Sequence, residues 1–235
     1  MIAVIDCRMP KKAVDRLLAL GFSVIPLPPF SSLAEPVASH PDMLLFPFED
    51  RLFVYRAYYE QAKSVIDQIL NESGKSLCMI DISVTSEYPN DIALNLFTIN
   101  KYLFGKADRI SSEIAKTANE TGYCTIHTRQ GYAKCSTVVL GNCGIISADP
   151  SILKAAAENG IDTLSISSGN VLLPGYDHGF LGGASGINET SVFFCGELTT
   201  HPDHHRIRAF CQERGFSVIS LSDEPLLDVG TIFFL

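Results

Sequence analysis

The stretch QGYAKCSTVVLGNCGIISADPSILKAAAENGIDTLSI, residues 130–166, decides the fold predicted for this chain. Its first half holds two short apolar runs separated by Gly141-Asn142, a pair typical of a tight hairpin turn. Asp149-Pro150 predicts the start of a helix, and Asn159-Gly160 predicts its end. The alternating run 161–166 predicts a further strand. The stretch therefore predicts a unit of strand, strand, helix and strand.

The end of this helix, its glycine and the strand after it recur along the chain. Residues 20–27, LGFSVIPL, match residues 214–221, RGFSVISL, almost letter for letter. Gly122 holds the same place ahead of another apolar run, and residues 73–80 form a less regular member of the set. A segment with a one-sided apolar stripe precedes each of them, as expected of a helix that packs on a sheet. Self-similarity of this kind predicts a repeat architecture.

Four of the predicted helices follow a pair of short strands, but the first helix, near residues 11–20, follows only the strand 2–5. The predicted pairs are 43–46 with 52–55, 92–97 with 102–104, the two runs in the stretch quoted above, and 192–195 with a weak partner near Leu198-Thr199. The missing strand of the first unit is predicted in the C-terminal segment 228–235, which no helix follows. Pairing of the two termini would close five units into a ring without free sheet edges.

Composition narrows the class of protein. The chain of 235 residues is 46% hydrophobic and 19% charged, as in globular proteins, and its net charge of -8 argues against nucleic acid or an anionic membrane as partner. No apolar run approaches the roughly 20 residues of a membrane helix, and the N-terminus is typical of a strand rather than of a signal peptide. Seven cysteines, several in apolar runs, favour reduced thiols. We expect a single cytoplasmic domain over residues 1–235.

Five strand-strand-helix-strand units in a closed ring resemble the pentein fold. This is the α/β propeller of guanidine-modifying enzymes such as arginine deiminases and dimethylarginine dimethylaminohydrolases, and of the ribosome anti-association initiation factor. The resemblance covers nearly the whole chain in the order of its units and is weak residue by residue. It implies an α/β fold of five ββαβ units with pseudo-fivefold symmetry, closed by the N- and C-terminal strands. A coincidental α/β repeat and an ordinary doubly wound sheet are the alternatives.

In a ring of equivalent units, side chains at corresponding places converge on the axis. Polar residues lead into the first strand of each unit, and four of the five leads carry a carboxylate while one carries a lysine. The predicted ligand-binding residues are Asp42, Asn90, Asp91, Tyr132, Lys134, Asn188, Glu189, Asp228 and Thr231. A ring of acids would attract a cation, and guanidinium offers the planar donors that carboxylates accept. The alternative is that these acids begin strands and turns that face solvent.

The resemblance also implies a nucleophilic cysteine near the C-terminus and a histidine at the start of the unit quoted above. This chain has Thr231 nearest the first place, and Tyr132 and Lys134 at the second, so thiol-dependent guanidine hydrolysis of the family type is not predicted. Cys135 is the candidate for a displaced nucleophile, because the charge of Lys134 would favour its thiolate if both side chains reached the pocket, although neighbours on a strand point to opposite faces. A buried structural thiol is the alternative.

The connection 167–187 is long and rich in glycine, with enough apolar residues to be ordered. We predict a flap over the axial site, in which Asp177 and His178 act as a base or as ligands. A hydrogen-bonding loop histidine is the alternative for His178. The segment 201–205 is better explained by a helix start at Asp203 than by a metal site, so neither a metal nor a cofactor is predicted.

Two functional hypotheses follow. In the first, the chain is a binding protein or a divergent hydrolase for a guanidino, amidino or amino-acid-like small molecule, with Cys135 and His178 as catalytic candidates. In the second, it is a non-catalytic pentein that binds a macromolecular partner, as the resemblance to the initiation factor implies. The missing C-terminal cysteine favours the second hypothesis, and the flap favours the first.

Overall fold

A computed structural model describes all 235 residues. The strands are β1 (Ile2–Asp6), β2 (Ser23–Leu27), β3 (Leu45–Phe48), β4 (Arg51–Tyr55), β5 (Ser76–Ile80), β6 (Phe97–Ile99), β7 (Tyr102–Gly105), β8 (Cys124–His127), β9 (Thr137–Val139), β10 (Ile145–Ser147), β11 (Thr163–Ser165), β12 (Ser185–Ile187), β13 (Ser191–Phe194), β14 (Ser217–Ser220) and β15 (Ile232–Phe234). The helices are α1 (Lys11–Ala19), α2 (Pro41–Leu44), α3 (Arg56–Gln61), α4 (Lys63–Ser73), α5 (Ser112–Glu120), α6 (Pro150–Glu158) and α7 (His204–Glu213), with 3₁₀ turns at Glu35–Val37, Ala107–Arg109 and Leu198–Thr200. None of these helices combines the length and the hydrophobicity that a membrane span requires.

The strands form five groups of three, each with helix between its second and third strand. In every group the first two strands are antiparallel and the third is parallel to the second. Three groups are separate sheets, in the orders β3-β4-β5, β6-β7-β8 and β9-β10-β11. The other two groups share a six-stranded sheet, because β12 pairs in parallel with β15. This mixed α/β architecture of several small sheets confirms the α/β part of the predicted fold class.

The first and last strands of the chain pair with each other, as predicted. β1 and β15 are antiparallel, with Ala3 opposite Phe234. Backbone hydrogen bonds join Ile2 and Leu235 in both directions, at 2.9 and 3.0 Å. The ring of Phe234 packs on Phe22 and Phe193, with centroids 4.8 and 4.7 Å away, so aromatic burial supports the backbone ladder at this junction.

The stretch 130–166 forms the predicted unit, with one correction. The Asp149 carboxylate accepts hydrogen bonds from the backbone N–H groups of Ser151 and Ile152 and so caps α6. After the helix, Gly160 takes a left-handed conformation with φ of 72°. The predicted two-residue hairpin loop, Gly141-Asn142, is wrong. Val139 pairs with Ile145, so the five residues 140–144 connect the two strands.

The first strand of two other units was misplaced by sequence reasoning. The strand expected over 92–97 begins only at Phe97. The partner of β13 is β12, whereas the expected partner near Leu198-Thr199 is a 3₁₀ turn. β12 was not predicted because it contains Gly186, and glycine is depleted in strands. It is needed there, because a Cβ atom at Gly186 would lie 2.6 Å from Ile232.

Candidate functional site

All five units contribute residues to one buried polar cluster where they meet. In chain order these residues are Asp42, Asn95, Cys135, Gly182 and Thr231. One carboxylate oxygen of Asp42, Oδ2, accepts hydrogen bonds from Thr231 Oγ1 at 2.7 Å and from Cys135 Sγ at 3.0 Å. The other oxygen, Oδ1, is buried without a partner. Asn95 supports the cluster by accepting from the backbone N–H of Cys135 at 3.1 Å. The structure therefore brings Asp42, Cys135 and Thr231 together by hydrogen bonds.

Lys134 and Cys135 point to different sides of this cluster. Lys134 Nζ donates to Thr231 Oγ1 at 3.2 Å and lines a cavity of about 420 Å³. Cys135 lines a separate cavity of about 150 Å³. Burial, together with the charges of Asp42 and Asp228, raises the pKa of the Cys135 thiol well above its usual range. Burial and the hydrogen bond to Asp42 both favour the protonated thiol of Cys135, which opposes its activation by Lys134.

The smaller cavity lies beneath the connection 167–187, and we name it the flap cavity. Its lining residues are Val37, His40, Met43, Tyr132, Cys135, Leu173, Tyr176, His178, Phe180 and Asp228. Four of the ten come from the connection itself, so the connection forms one wall of the cavity. Cys135 and His178, the two catalytic candidates, line the same space.

The glycines of the connection allow it to pack directly on Asp228. The Asp228 carboxylate accepts from the backbone N–H of Phe180 at 2.8 Å. A Cβ atom at Gly183 would lie 2.0 Å from Asp228 Oδ1, and one at Gly179 would lie 2.5 Å from Asp228 Cβ. The start of the connection is held by Asp203, which accepts from Ser167 N at 2.7 Å. Asp203 precedes α7 as predicted, but its side chain makes no capping bond there.

His40 is a site residue that sequence reasoning did not select. Its side chain is 2% exposed and lies between two acids, with Nε2 at 3.7 Å from Asp6 Oδ2 and Nδ1 at 3.8 Å from Asp228 Oδ1. Nδ1 has no hydrogen-bond partner. Gly230 permits this placement, because a Cβ atom there would lie 2.1 Å from His40 Cβ. The only sequence signal was that His40 stands two positions before Asp42.

Asp91 is linked to the flap cavity by a hydrogen bond from Tyr132, which lines the cavity. Tyr132 Oη donates to Asp91 Oδ2 at 2.7 Å, and Asp91 Oδ1 is buried without a partner. Burial raises the pKa of Asp91 above its usual value, although the bond from Tyr132 opposes this effect. The Tyr132 ring lies 6.3 Å from that of Phe180. Asn90 is exposed and faces Arg109 at 3.5 Å, away from the cavity lining.

Three predicted ligand-binding residues lie apart from the buried cluster. Asn188 and Glu189 belong to the turn between β12 and β13, where Asn188 Oδ1 accepts from the backbone N–H of Ser191 at 2.8 Å and Glu189 is exposed. Asn188 lines the larger cavity instead. Asp177 is exposed on the connection. Glu189 does not join the buried cluster, because it follows β12, the strand that sequence reasoning missed.

Asp228 is the one acid that lines the flap cavity, and it gives the cavity a negative floor. Asp6 is neutralised by Arg8, whose Nη2 lies 2.8 Å from Asp6 Oδ2. Burial raises the pKa of Asp6, but its hydrogen bonds from Arg8 and Ser39 outweigh burial and hold it below the usual value. No lysine or arginine makes an ion pair with Asp42 or Asp228. Burial raises the pKa of Asp228 above its usual value. The charge of Asp42 adds to this increase, whereas His40 opposes it. The arrangement can stabilise a cation.

Comparisons with known proteins agree with this architecture. The chain resembles a dimethylarginine dimethylaminohydrolase (DDAH) from Pseudomonas aeruginosa, crystallised as a mutant with citrulline, at 12% identity and a TM-score of 0.59, over 94% of this chain and 91% of that one. It resembles an amidinotransferase of saxitoxin biosynthesis from Microseira wollei at 12% identity and a TM-score of 0.56, over 92% of this chain and 77% of that one. A cyanobacterial arginine dihydrolase aligns at 8% identity and a TM-score of 0.53, over 92% of this chain and 36% of that one.

Likeness at such low identity shows the fold alone. In all three cases the fold is that of the pentein superfamily. A comparison of sequences with curated proteins gives no match. A family model described as "Family of unknown function (DUF6873)" matches residues 4–233. The chain therefore belongs to the DUF6873 family; its fold is similar to the pentein fold, and it has no cysteine near its C-terminus.

Proposed function

We propose that this protein binds a small molecule bearing a guanidinium or amidinium group in the flap cavity. The observation that carries the proposal is the cavity floor, where Asp228 is 3% exposed and has no lysine or arginine partner. The arginine dihydrolase and DDAH neighbours act, by their names, on arginine compounds, which supports a guanidino ligand here.

We infer that the five units surround one axis, as the blades of a propeller do. The hydrogen bonds that join Asp42, Cys135 and Thr231 connect three different units, and Gly182 and Asn95 bring in the other two. The β1–β15 pairing completes one unit from both ends of the chain. In this arrangement the flap cavity is one mouth of the axis, and the Lys134 cavity is the other.

The walls of the flap cavity suit an organic cation. Tyr132, Tyr176 and Phe180 contribute aromatic rings, and a cation within about 6 Å of a ring face is stabilised by the ring quadrupole. Tyr176 is 50% exposed, so it stands at the opening rather than in the interior. A planar cation can therefore meet carboxylate at the floor and aromatic faces at the sides.

A divergent hydrolase is the second candidate, because Cys135 and His178 line the same cavity. The hydrogen bond from Cys135 to Asp42 counts against it, since the thiolate is the nucleophilic form. His178 Nδ1 lies 3.1 Å from the carbonyl oxygen of Gly179, which occupies one ring nitrogen. Binding without thiol chemistry is therefore the better-supported function. No contact or surface described above supports the alternative of a macromolecular partner.

Arginine and citrulline form a matched pair of probes, because arginine carries a charged guanidinium where citrulline carries a neutral urea group. We expect arginine or its decarboxylated form, agmatine, to raise the melting temperature and to bind in calorimetry, and citrulline to bind at least about 10-fold more weakly, since hydrogen bonds to charged groups contribute about 1.5–3 kcal/mol. Asp228→Asn should remove the preference, and Glu189→Gln, in an exposed turn, should retain it. Equal binding of both probes, or no binding of either cation, would contradict the proposal.

A further inference from the structure

A second kind of ligand fits three side chains at the floor of the flap cavity. His40, Cys135 and Asp228 are all buried, and one potential ligand atom from each lies within 4.8 Å of the other two. His40 Nδ1, which faces Asp228 Oδ1 at 3.8 Å, is a buried nitrogen without any hydrogen-bond partner. We propose that these three side chains form a binding site for a divalent cation that prefers sulfur and nitrogen ligands, with Zn²⁺ as the best match.

The donor set selects the metal. Thiolate, imidazole and carboxylate are the protein ligands of Zn²⁺, whereas Ca²⁺ and Mg²⁺ require oxygen donors. With bonds of about 2.0 Å to nitrogen or oxygen and about 2.3 Å to sulfur, tetrahedral ligand atoms lie roughly 3.3–3.6 Å apart. The separation of 3.8 Å between His40 Nδ1 and Asp228 Oδ1 is close to this value. Three protein ligands would leave a fourth position for water or a small ligand, and all three side chains line the flap cavity.

Metal binding must displace the thiol proton of Cys135. Asp42 Oδ2, 3.0 Å from Sγ, can accept this proton as the metal–sulfur bond forms, and binding would release one proton to solvent overall. The thiolate and the Asp228 carboxylate then balance the double positive charge of the ion. No oxidant, reductant or further reactant is needed.

The metal site does not depend on the proposed function, and the two ligands require different states of Asp228. A guanidinium requires the free negative charge of Asp228, whereas a bound Zn²⁺ neutralises it. Zn²⁺ at this site should therefore weaken arginine binding in the flap cavity. Binding of arginine measured in the presence of a chelator tests the proposed function alone, so failure of either idea can be told from failure of the other.

The test begins with a background variant in which the exposed Cys7, Cys124 and Cys143 are changed to serine, since surface thiols also bind metals. We expect this protein to bind one equivalent of Zn²⁺ in calorimetry, and to show thiolate-to-metal charge-transfer absorption with Co²⁺. Cys135→Ser in the background should abolish that absorption. His40→Ala and Asp228→Asn should each lower the Zn²⁺ affinity by about 100-fold or more, because outer-shell changes alone cost 10–100-fold.

Circular dichroism of every variant shows whether its fold is retained, and Cys211→Ser, at a buried thiol in α7, serves as a matched control that keeps the metal site. The background protein contains the intact site, so its own spectrum decides the question even where a variant fails to fold. Absence of the Co²⁺–thiolate band in that protein overturns the inference. Survival of the band after Cys135→Ser, or its loss after Cys211→Ser in a folded protein, also overturns it.

Discussion

At the scale of single residues, Lys134 and Cys135 show how neighbours in sequence acquire opposite environments. Lys134 donates to Thr231 on one side of the buried cluster, and Cys135 donates to Asp42 on the side of the flap cavity. Burial lowers the pKa of Lys134, although the charge of Asp42 opposes this effect. A cation beside a thiol in sequence therefore does not activate that thiol unless the fold brings the two side chains together.

The protonated state of Cys135 has a direct consequence for its reactivity. We expect iodoacetamide at neutral pH to modify Cys135 at least about 100-fold more slowly than the exposed Cys124, because the thiolate is the reacting form and Cys135 is both buried and held as a thiol. Mass spectrometry of digested samples measures both rates in one protein. In denaturant the two rates should become similar. Preferential labelling of Cys135 in the native protein would instead indicate an activated nucleophile.

Asp228 predicts a pH dependence for cation binding. Burial raises the pKa of Asp228 above the ordinary value of 3.8, so the carboxylate takes up a proton at a higher pH than an exposed aspartate does. As the pH falls through that raised pKa, the floor loses its charge and the affinity for agmatine, whose charge is constant in this range, should fall by about 10-fold per pH unit. Calorimetry across the acid range measures the slope. A flat profile in the native protein, or the same slope in Asp228→Asn, would show that Asp228 does not carry the effect.

At the scale of elements, the connection 167–187 takes its order from other parts of the chain. Asp203 holds its start through Ser167 N, and Asp228 holds its second half through Phe180 N. The hydrogen bonds from Ser167 hold the pKa of Asp203 at about 2, so this carboxylate accepts them throughout the range in which proteins are usually studied. Hydrogen bonds to other parts of the chain therefore hold this wall of the flap cavity in place, although it has no helix or long strand of its own.

The helix α6 offers a simple test of the local signals used to define the unit. Asp149→Ala should lower the free energy of unfolding by about 1 kcal/mol, because the carboxylate caps two backbone N–H groups. Glu158→Ala is the matched control on the same helix, since Glu158 makes only an exposed contact of 3.8 Å with Lys154. Chemical denaturation measures both. Equal losses in the two variants would mean that the cap contributes nothing beyond surface charge.

At the scale of the whole molecule, β15 connects the two ends of the chain and two of the units. It pairs with β1 on one side and with β12 on the other. Ile2 and Leu235 are hydrogen-bonded partners, so the two ends of this chain are adjacent. Both ends of the chain therefore lie inside one unit, formed by β15, β1 and β2, rather than between two units.

A circular permutant tests this topology. We expect a chain whose termini are joined by a short glycine-serine linker, and which is opened in the exposed segment 85–87, to fold with a melting temperature within a few degrees of the native one. Deletion of residues 232–235 should prevent folding, because it exposes the edges of β1 and β12. Thermal denaturation and circular dichroism measure both. A truncated chain as stable as the native protein would contradict the importance of β15.

The parts of the fold that could be predicted depend on residues close together in the chain. Asp149 caps α6 through groups two and three residues away, Gly160 ends the same helix, and alternation within a strand is read from adjacent positions. The terminal pairing could also be predicted, because the repeat of units left one unit incomplete at each end. β12 could not be found, since Gly186 is explained only by its close approach to Ile232, about forty-six positions later.

The sequence by itself thus determined the order of the units and the candidates Asp42, Cys135, Asp228 and Thr231. Only the tertiary structure decided which atoms meet: it placed Cys135 on Asp42, directed Lys134 to Thr231, and brought the unselected His40 beside Asp228. The physical reason is separation along the chain. Contacts between positions 42, 135 and 231 depend on how whole units pack, whereas helix caps, turns and strand patterns are stabilised by their nearest neighbours.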